Sequence, residues 1–268
     1  MSKAYVDTTI LTNILLKPGS KKGEEAKAAL ARYDETLLPV YAIKEWKKGP
    51  LDHYAYVHDK FVQTKSLADT VGAINSLSPY YAPYKKATSY ESLESAMRLA
   101  DAKPASDSSP ASLDSEMADR YRLALARLIF SSWQKRRKVA TTTFQDLECY
   151  TEAKPRLDKD GYVDLKPQKC YQDRECCLAD RMKADAVLLK ALRDAIPEGS
   201  RREEDRNRRK VLKQLINTPK VELTEQQCRW LGDAVFAFFC PPDAVILTTN
   251  VRDHKPLAAA AGKATEQP

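Results

Sequence analysis

AYVDTTILTNILLKPG, residues 4–19, runs a short apolar stretch into an acid, two threonines and a second apolar stretch. Aspartate disfavours strand interiors, so Asp7 ends a short strand, Lys3–Val6, rather than sitting within one. Ile10, Leu11, Ile14 and Leu15 then recur at helical spacing, and Pro18-Gly19 stops that helix. A strand that delivers a carboxylate to the mouth of a helix is the geometry of an α/β ligand site. An ordinary N-cap aspartate gives the same pattern, so the stretch speaks for the fold before it speaks for a function.

Working outward, residues 1–53 continue with a helix over Glu24–Tyr33 and an apolar strand over Leu37–Ile43. That strand–helix–helix–strand order reads as the opening of a parallel sheet. The pattern resumes over 221–258. Thr224 and Gln227 form a T-x-x-Q capping box, with Leu223 and Cys228 placed as its hydrophobic staple. The helix it caps carries Trp230, Leu231, Ala234, Val235 and Phe238, and Pro241-Pro242 follows its end. AVILTT, residues 244–249, is the next strand, and NVRDH follows it. Residues 259–268 read as a flexible tail.

The middle, 54–220, reads as mostly helical. One helix is expected over 54–77, loops over 78–86 and 103–112, and an amphipathic helix from Met117 through Trp133 into KRRK at 135–138. Another helix runs from Leu178 to Ile196. Ser200 and Glu203 suggest a capping box for a basic helix over 201–216. Residues 151–169 read as a hairpin or a loose loop around Lys159-Asp160-Gly161.

The chain has 268 residues, 43% apolar and 30% charged, enough for one elaborated domain or two small ones. It lacks a run of about 18 apolar residues, and its start lacks the apolar core of a signal peptide, so the expected location is cytoplasmic with no membrane contact. The six cysteines contain no C-x-x-C pair and read as reduced thiols; a zinc site from Cys149, Cys170, Cys176 and Cys177 fits zinc's usual spacings poorly. The net charge of +7 is clustered at 47–49, 135–138 and 201–210. Clusters of that kind suit a polyanion, and they equally suit solvated helix faces.

Chemistry emerges when the acids at element ends are collected. Asp7 follows the first strand, Glu45 lies two residues past the second, Asp233 sits in the capped helix and Asp253 lies four residues past the last strand. In a parallel sheet the C-terminal strand ends share one edge, so Asp7, Glu45 and Asp253 can converge there. Carboxylates packed together cannot all stay ionised without a cation. Hard oxygen ligands with no histidine or cysteine beside them suit Mg²⁺ or Mn²⁺, and a metal cluster at a basic surface points to phosphodiester hydrolysis.

The same residues resemble the PIN-domain family. VDTTILTNIL at 6–15 is similar to its opening strand, acid and hydroxyl, and VYAIKE at 40–45 is similar to its second strand and glutamate. LGDAVFAFF at 231–239 and TTNVRD at 248–253 stand where that family carries an acid on a helix and then an acid after the last core strand. The resemblance implies a three-layer α/β/α sandwich with a central parallel sheet and metal-dependent nuclease activity, usually on RNA. It covers about residues 3–52 and 221–257, so 54–220 would be a large helical insertion or lobe. His254 stands where that family commonly has an aromatic residue, and reads as a partly exposed structural residue or a phosphate contact.

The resemblance also implies roles. Asp7, Asp233 and Asp253 hold Mg²⁺ or Mn²⁺ directly or through water, and Glu45 orients the nucleophilic water or completes the shell. Thr8 and Thr248 bind water or phosphate, and Asn250 hydrogen-bonds Asp7 or Asp253; turn and cap chemistry explains all three equally. Charge placement, rather than the resemblance, makes Lys47, Lys48, Arg136, Arg137, Arg206, Arg208, Arg209 and Lys210 the expected nucleic-acid contacts. Tyr80, Tyr81 and Tyr84, beside Lys85 and Lys86, are placed to stack bases or to pack a loop corner. Two alternatives stay open: a structure-specific DNA nuclease, and a PIN-like scaffold whose helical lobe binds a protein partner with little catalysis.

Overall fold

A computed structural model describes residues 2–78, 83–100, 110–148, 150, 153–165 and 177–268. Its centre is a five-stranded sheet made of β1 (Lys3–Val6), β2 (Glu35–Pro39), β3 (Thr142–Phe144), β6 (Ala244–Leu247) and β7 (Ala264–Glu266). The order across the sheet is β3-β2-β1-β6-β7, and every neighbouring pair is parallel. A separate two-stranded antiparallel hairpin, β4 (Arg156–Leu157) with β5 (Val163–Asp164), turns at Lys159-Asp160-Gly161, with Gly161 at a positive φ of 86°.

The strand order explains where a site can form. From β1 the chain builds outward through β2 to β3, then returns to the other side of β1 with β6 and β7. Between β1 and β6 the winding reverses, and a crevice opens there at the carboxyl ends of the strands. Pairing extends one residue past β1, where the Asp7 amide donates to the Leu247 carbonyl at 3.1 Å. Asp7 therefore stands at the reversal point itself.

Two groups of helices pack on this sheet. The first comprises α1 (Thr8–Leu16), α2 (Lys21–Leu30), α3 (Val40–Trp46), α4 (Asp52–Thr64), α5 (Leu67–Asn75), α6 (Pro83–Leu99) and α7 (Pro110–Lys135). The second comprises α8 (Cys177–Lys183), α9 (Ala186–Asp194), α10 (Glu203–Asn217), α11 (Glu225–Leu231), α12 (Asp233–Phe239) and α13 (Val251–Ala260). One continuous core joins them: Tyr5 of β1 sets its ring edge-on to Phe144 and Phe236, and Trp46 stacks on Trp133.

Several expectations need correction. The strand read over Leu37–Ile43 ends at Pro39, and Val40 begins α3. Every residue from Val40 to Trp46 except Glu45 is buried, so this helix shows no periodicity. Buried Asp146 explains its start: its Oδ1 accepts the Tyr41 amide at 3.0 Å and caps a turn whose preceding residue, Pro39, supplies no side-chain cap. Residues 54–77 form two helices, because Lys65 takes a left-handed conformation (φ 53°) and Ser66 caps a new start. The helix read from Leu178 to Ile196 likewise restarts at Asp185, whose side chain accepts the Leu188 amide. The loop expected over 78–86 gives way to α6 at Pro83, and the one over 103–112 to α7 at Pro110.

The middle of the chain is also not purely helical, since β3 joins the main sheet beside β2 and Thr141 exchanges side-chain and backbone hydrogen bonds with Thr36. At the other end, the tail read over 259–268 contains β7, which pairs with β6. Its Glu266 accepts from Tyr33 at 2.7 Å and pairs with Arg32 at 2.7 Å. The Ser200–Glu203 capping box does not form; Arg202 is the N-cap residue, and the Ser200 hydroxyl bonds Asp205 at 2.7 Å instead. The Thr224–Gln227 box forms as expected, with Leu223 and Cys228 both buried. Among the described residues no helix is long and apolar enough to cross a membrane.

Candidate functional site

Asp7 has the most closed environment of the four acids. It is 3% exposed and caps α1. Its Oδ2 accepts the Thr9 hydroxyl at 2.6 Å, the Thr248 hydroxyl at 2.7 Å and the Thr9 amide at 3.3 Å. Thr248 is in turn fixed by the Asn250 amide at 2.9 Å, and Thr9 by the Thr249 amide at 3.0 Å. Two chain crossings, after β1 and after β6, are thus tied together through one carboxylate. Thr248 and Asn250 are expected here from the sequence. Thr9 is not, although Asp-Thr-Thr before a helix is the pattern in which a hydroxyl and a carboxylate share cap duty.

Behind Asp7 lies His254, buried in α13 and edge-on to Phe236. Its Nε2 is 3.1 Å from Asp233 Oδ1 and 3.5 Å from Asp7 Oδ1. The contacts have ion-pair distances without hydrogen-bond alignment, so charge rather than geometry couples the three groups. Burial lowers the His254 pKa, but the Asp7 and Asp233 carboxylates outweigh it and lift the value to about 9. Burial raises Asp7, and His254 together with the two threonine hydroxyls brings it down to about 2. The expectation of a partly exposed histidine is corrected: it is a buried cation among the acids.

Glu45 projects from α3, one helical segment beyond the strand rather than two residues past it. Its Oε2 accepts the Thr8 hydroxyl at 2.9 Å. Burial first, then the charges of Asp233 and Asp7, push its pKa up to about 7. Asp233 is the first residue of α12, because Gly232 breaks the expected single helix at φ 38°, ψ −114°. A side chain on Gly232 would be strained at that φ and would lie within 4 Å of Arg208 Nη2 and Glu45 Oε1. Glycine here both turns the chain and keeps the space between Glu45 and Arg208 open.

Asp253 comes from the first turn of α13 and lines the same cleft. Arg202 grips it with both terminal nitrogens, one at 2.9 Å, and Asn250 Nδ2 donates to it at 3.2 Å. The Arg202 bonds, ahead of the opposing effect of partial burial, hold its pKa below the usual carboxylate value. Arg208, buried, donates to Asp233 Oδ2 at 2.7 Å and approaches the Trp230 carbonyl at 3.3 Å. The cleft has a volume of about 380 Å³ and is walled by Thr8, Glu45, Asp233 and Asp253, with Tyr84, Arg229 and Trp230 at its sides.

Glu45, Asp233 and Asp253 therefore line one cleft, and buried Asp7 lies behind it, coupled to Glu45 and Asp233 by charge. Asp7, Glu45 and Asp233 act on one another's charge, while Asp253 is clamped by Arg202. The chain itself supplies cations to this cluster through His254, Arg202 and Arg208, a pairing that their positions in the sequence do not suggest. Among the described residues, no three potential ligands are already grouped to hold a metal ion. The donor chemistry still suits a hard cation: every donor is a carboxylate oxygen, and burial first, then the charges of Asp233 and Asp7, raise the Glu45 pKa to about 7.

The expected nucleic-acid contacts fare unevenly. Lys47 is buried, reaches the Ala153 carbonyl at 3.1 Å and lies over Trp133; burial and neighbouring Lys48 lower its pKa to about 8. Lys48 pairs with Glu225. Arg136 stacks 3.9 Å from the Trp133 ring centre and donates to that residue's carbonyl. Arg208 faces Asp233, and Arg209 caps α9 through the Arg193 and Ile196 carbonyls at 2.8 Å. Exposed Arg206 bonds the Arg201 carbonyl at 2.9 Å, while Arg137 and Lys210 remain at the surface. Tyr84 is 65% exposed on α6, with Lys85 over the Tyr56 ring. Tyr80 and Tyr81 lie outside the described residues, as do Cys149, Cys170 and Cys176.

No protein-family model, curated protein or solved structure gives a significant match to the chain.

Proposed function

We propose that this cleft is the hydrolytic site of a PIN-like, metal-dependent nuclease in a three-layer α/β/α sandwich. The observation that carries the reading is the convergence of Asp7, Glu45, Asp233 and Asp253, from four separate chain segments, on the carboxyl edge of a parallel sheet where its winding reverses. Asp7, Glu45 and Asp233 would hold Mg²⁺ or Mn²⁺, with Asp253 completing the acidic rim. When bound, such a cation supplies a Lewis acid and makes a bound water a stronger nucleophile. Glu45 is the group suited to take a proton from water near neutral pH, because its pKa is about 7. Thr8 orients Glu45, and the Thr9–Asp7–Thr248 tie keeps Asp7 ionised and fixed. Exposed Arg229 and Tyr84 stand where a substrate phosphate and base would pass. RNA ahead of DNA rests on the family resemblance alone.

A second reading has its own support. Asp253 has Arg202, Asp233 has Arg208, and His254 serves both Asp7 and Asp233, so the cluster is partly neutralised from within. A neutralised cleft suits a scaffold that binds a protein partner and does not turn over substrate. Labelled single-stranded RNA, single-stranded DNA and duplex DNA, each with Mg²⁺, Mn²⁺ or EDTA, separate the two. Metal-dependent cleavage that disappears in Asp233→Asn supports the nuclease. No cleavage of any substrate with either metal gives the cleft to the scaffold.

A further inference from the structure

A second cavity, of about 820 Å³, opens on the far half of α1, and the nuclease reading does not use it. Its apolar lining includes Ile14 and Leu15 of α1, Leu30 of α2, Leu128 of α7 and Val139. Pocket volumes of about 300–1,000 Å³ with mostly apolar walls and a few polar anchors are typical of small-molecule sites. The anchors here share one sign: Lys27, Arg127, Lys135 and Lys138 line the cavity, and among the described residues no acidic residue joins them. Lys27 pairs with Glu24 on its own helix, whereas Arg127, Lys135 and Lys138 form no ion pair with any described residue. The remaining polar lining is already satisfied, since Ser132 donates to the Leu15 carbonyl at 2.8 Å and Ser131 to the Leu128 carbonyl at 3.2 Å.

We propose that this cavity binds a small amphipathic anion, with its apolar body against Leu15, Leu30 and Leu128 and its carboxylate or phosphate head on Arg127, Lys135 and Lys138. The contrast within the KRRK run supports the assignment. Arg136 is turned inward onto Trp133, while Lys135 and Lys138 border the cavity. Arg127, Lys135 and Lys138 are exposed beside the apolar lining and form no ion pair with a described acid, so an anion with an apolar body can meet both kinds of surface at once. A purely polar anion would leave the apolar floor wet, and an uncharged lipid would leave the cations unanswered.

The test is calorimetric titration of the full chain, in EDTA, with oleate and dodecyl phosphate below their micellar concentrations. Oleyl alcohol and inorganic phosphate are the controls. Saturable binding of either amphiphile is expected, with each control weaker by roughly tenfold or more. The Arg127→Glu/Lys135→Glu/Lys138→Glu variant should lose at least tenfold in affinity for both amphiphiles. Ser131→Phe, which fills the cavity and keeps the charges, should block them as well, and circular dichroism confirms that each variant is folded. Absence of binding by both amphiphiles would overturn the proposal. So would equal binding of alcohol and oleate, equal binding of phosphate and dodecyl phosphate, or folded variants that bind like the parent. Self-association that disappears in the charge variant, without amphiphile binding, would overturn it too and assign the face to a second copy of the chain.

Discussion

The two ends of α1 meet opposite electrostatic situations. At its start, Thr8 faces a cleft, with its cap Asp7 buried behind, in which nearly every charge has a partner of opposite sign from the same chain. At its last turn, Ile14 and Leu15 face a cavity in which three cations have none among the described residues. Clustered acids are tolerated in the cleft because Arg202, Arg208 and His254 arrive from distant segments to offset them. Among the described residues the cavity has no such compensation. The difference teaches that local charge density says little about availability: the basic block at 201–210 is largely engaged internally, whereas Arg127, Lys135 and Lys138 form no ion pair with a described residue.

The largest effect that would sharpen this contrast is expected at Glu45. Glu45→Gln should lower cleavage by about two orders of magnitude or more, as removal of a proton acceptor does. The same change should raise stability at pH 8, because Glu45 is the carboxylate whose ionisation the folded cluster resists. Activity and stability then move in opposite directions. Thermal melts and single-turnover cleavage measured on one preparation would show it; a variant that is both active and no more stable would remove Glu45 from the site.

Asp7 should behave otherwise. The substitution Asp7→Asn keeps the shape, but it takes the anion away from buried His254 and sets an amide against two hydroxyls that donate to Oδ2. Breaking a buried charge pair on one side costs about 2–4 kcal/mol here, since Asp233 remains as a partner. Urea unfolding at pH 7 reads the loss. An unchanged midpoint would mean that His254 is neutral and the cluster is held by hydrogen bonds alone.

The pH dependence of stability follows with three signs, measured in EDTA. His254 has a folded pKa of about 9 against an ordinary 6.5, so its contribution is complete below about pH 6.5 and is lost as pH rises through about 9. Glu45, raised from 4.5 to about 7, makes the folded state take up a proton between those values, and stability falls as pH climbs through them. Asp7, lowered from 3.8 to about 2, contributes above about pH 4 and ceases to do so as pH drops toward 2. The cluster is therefore most stabilising near about pH 4–5 and declines toward pH 8, through Glu45 first and His254 after it. Glu45→Gln should flatten the slope below pH 7 and leave the His254 slope above it.

Much of this site is legible in the sequence, for reasons that are local. Asp7 can be placed because a strand, an acid and an amphipathic helix follow one another directly, and Thr224–Gln227 because a capping box is four residues long. Glu45 falls in the right neighbourhood on the wrong element, since a helix buried on nearly all sides carries the same apolar run as a strand. His254, Arg202 and Arg208 escape as charge partners because their acids stand on other segments, as Asp253 does for Arg202 and Asp7 for His254, and long-range pairing leaves no local pattern. β7 escapes because three residues, Ala264–Glu266, form too short a strand to show alternation.

The smallest expected effect tests availability directly. The salt dependence of nucleic-acid binding counts the phosphates that a protein neutralises, at about 0.7–0.9 in log–log slope for each. Lys210 and Arg229 are exposed, and Arg229 stands on the cleft wall, so Lys210→Ala and Arg229→Ala should each flatten the slope while leaving the melting temperature within about a degree or two. Arg209→Ala should do the reverse. Its guanidinium bonds the Arg193 carbonyl in the last turn of α9 and the Ile196 carbonyl just beyond it, and losing them lowers stability by about 1 kcal/mol with no change in slope. Arg208→Ala should also destabilise, because it strips a buried partner from Asp233. If Arg209→Ala flattens the slope as much as Lys210→Ala does, engagement within the fold does not withdraw a cation from the substrate, and the contrast between the two ends of α1 loses its physical basis.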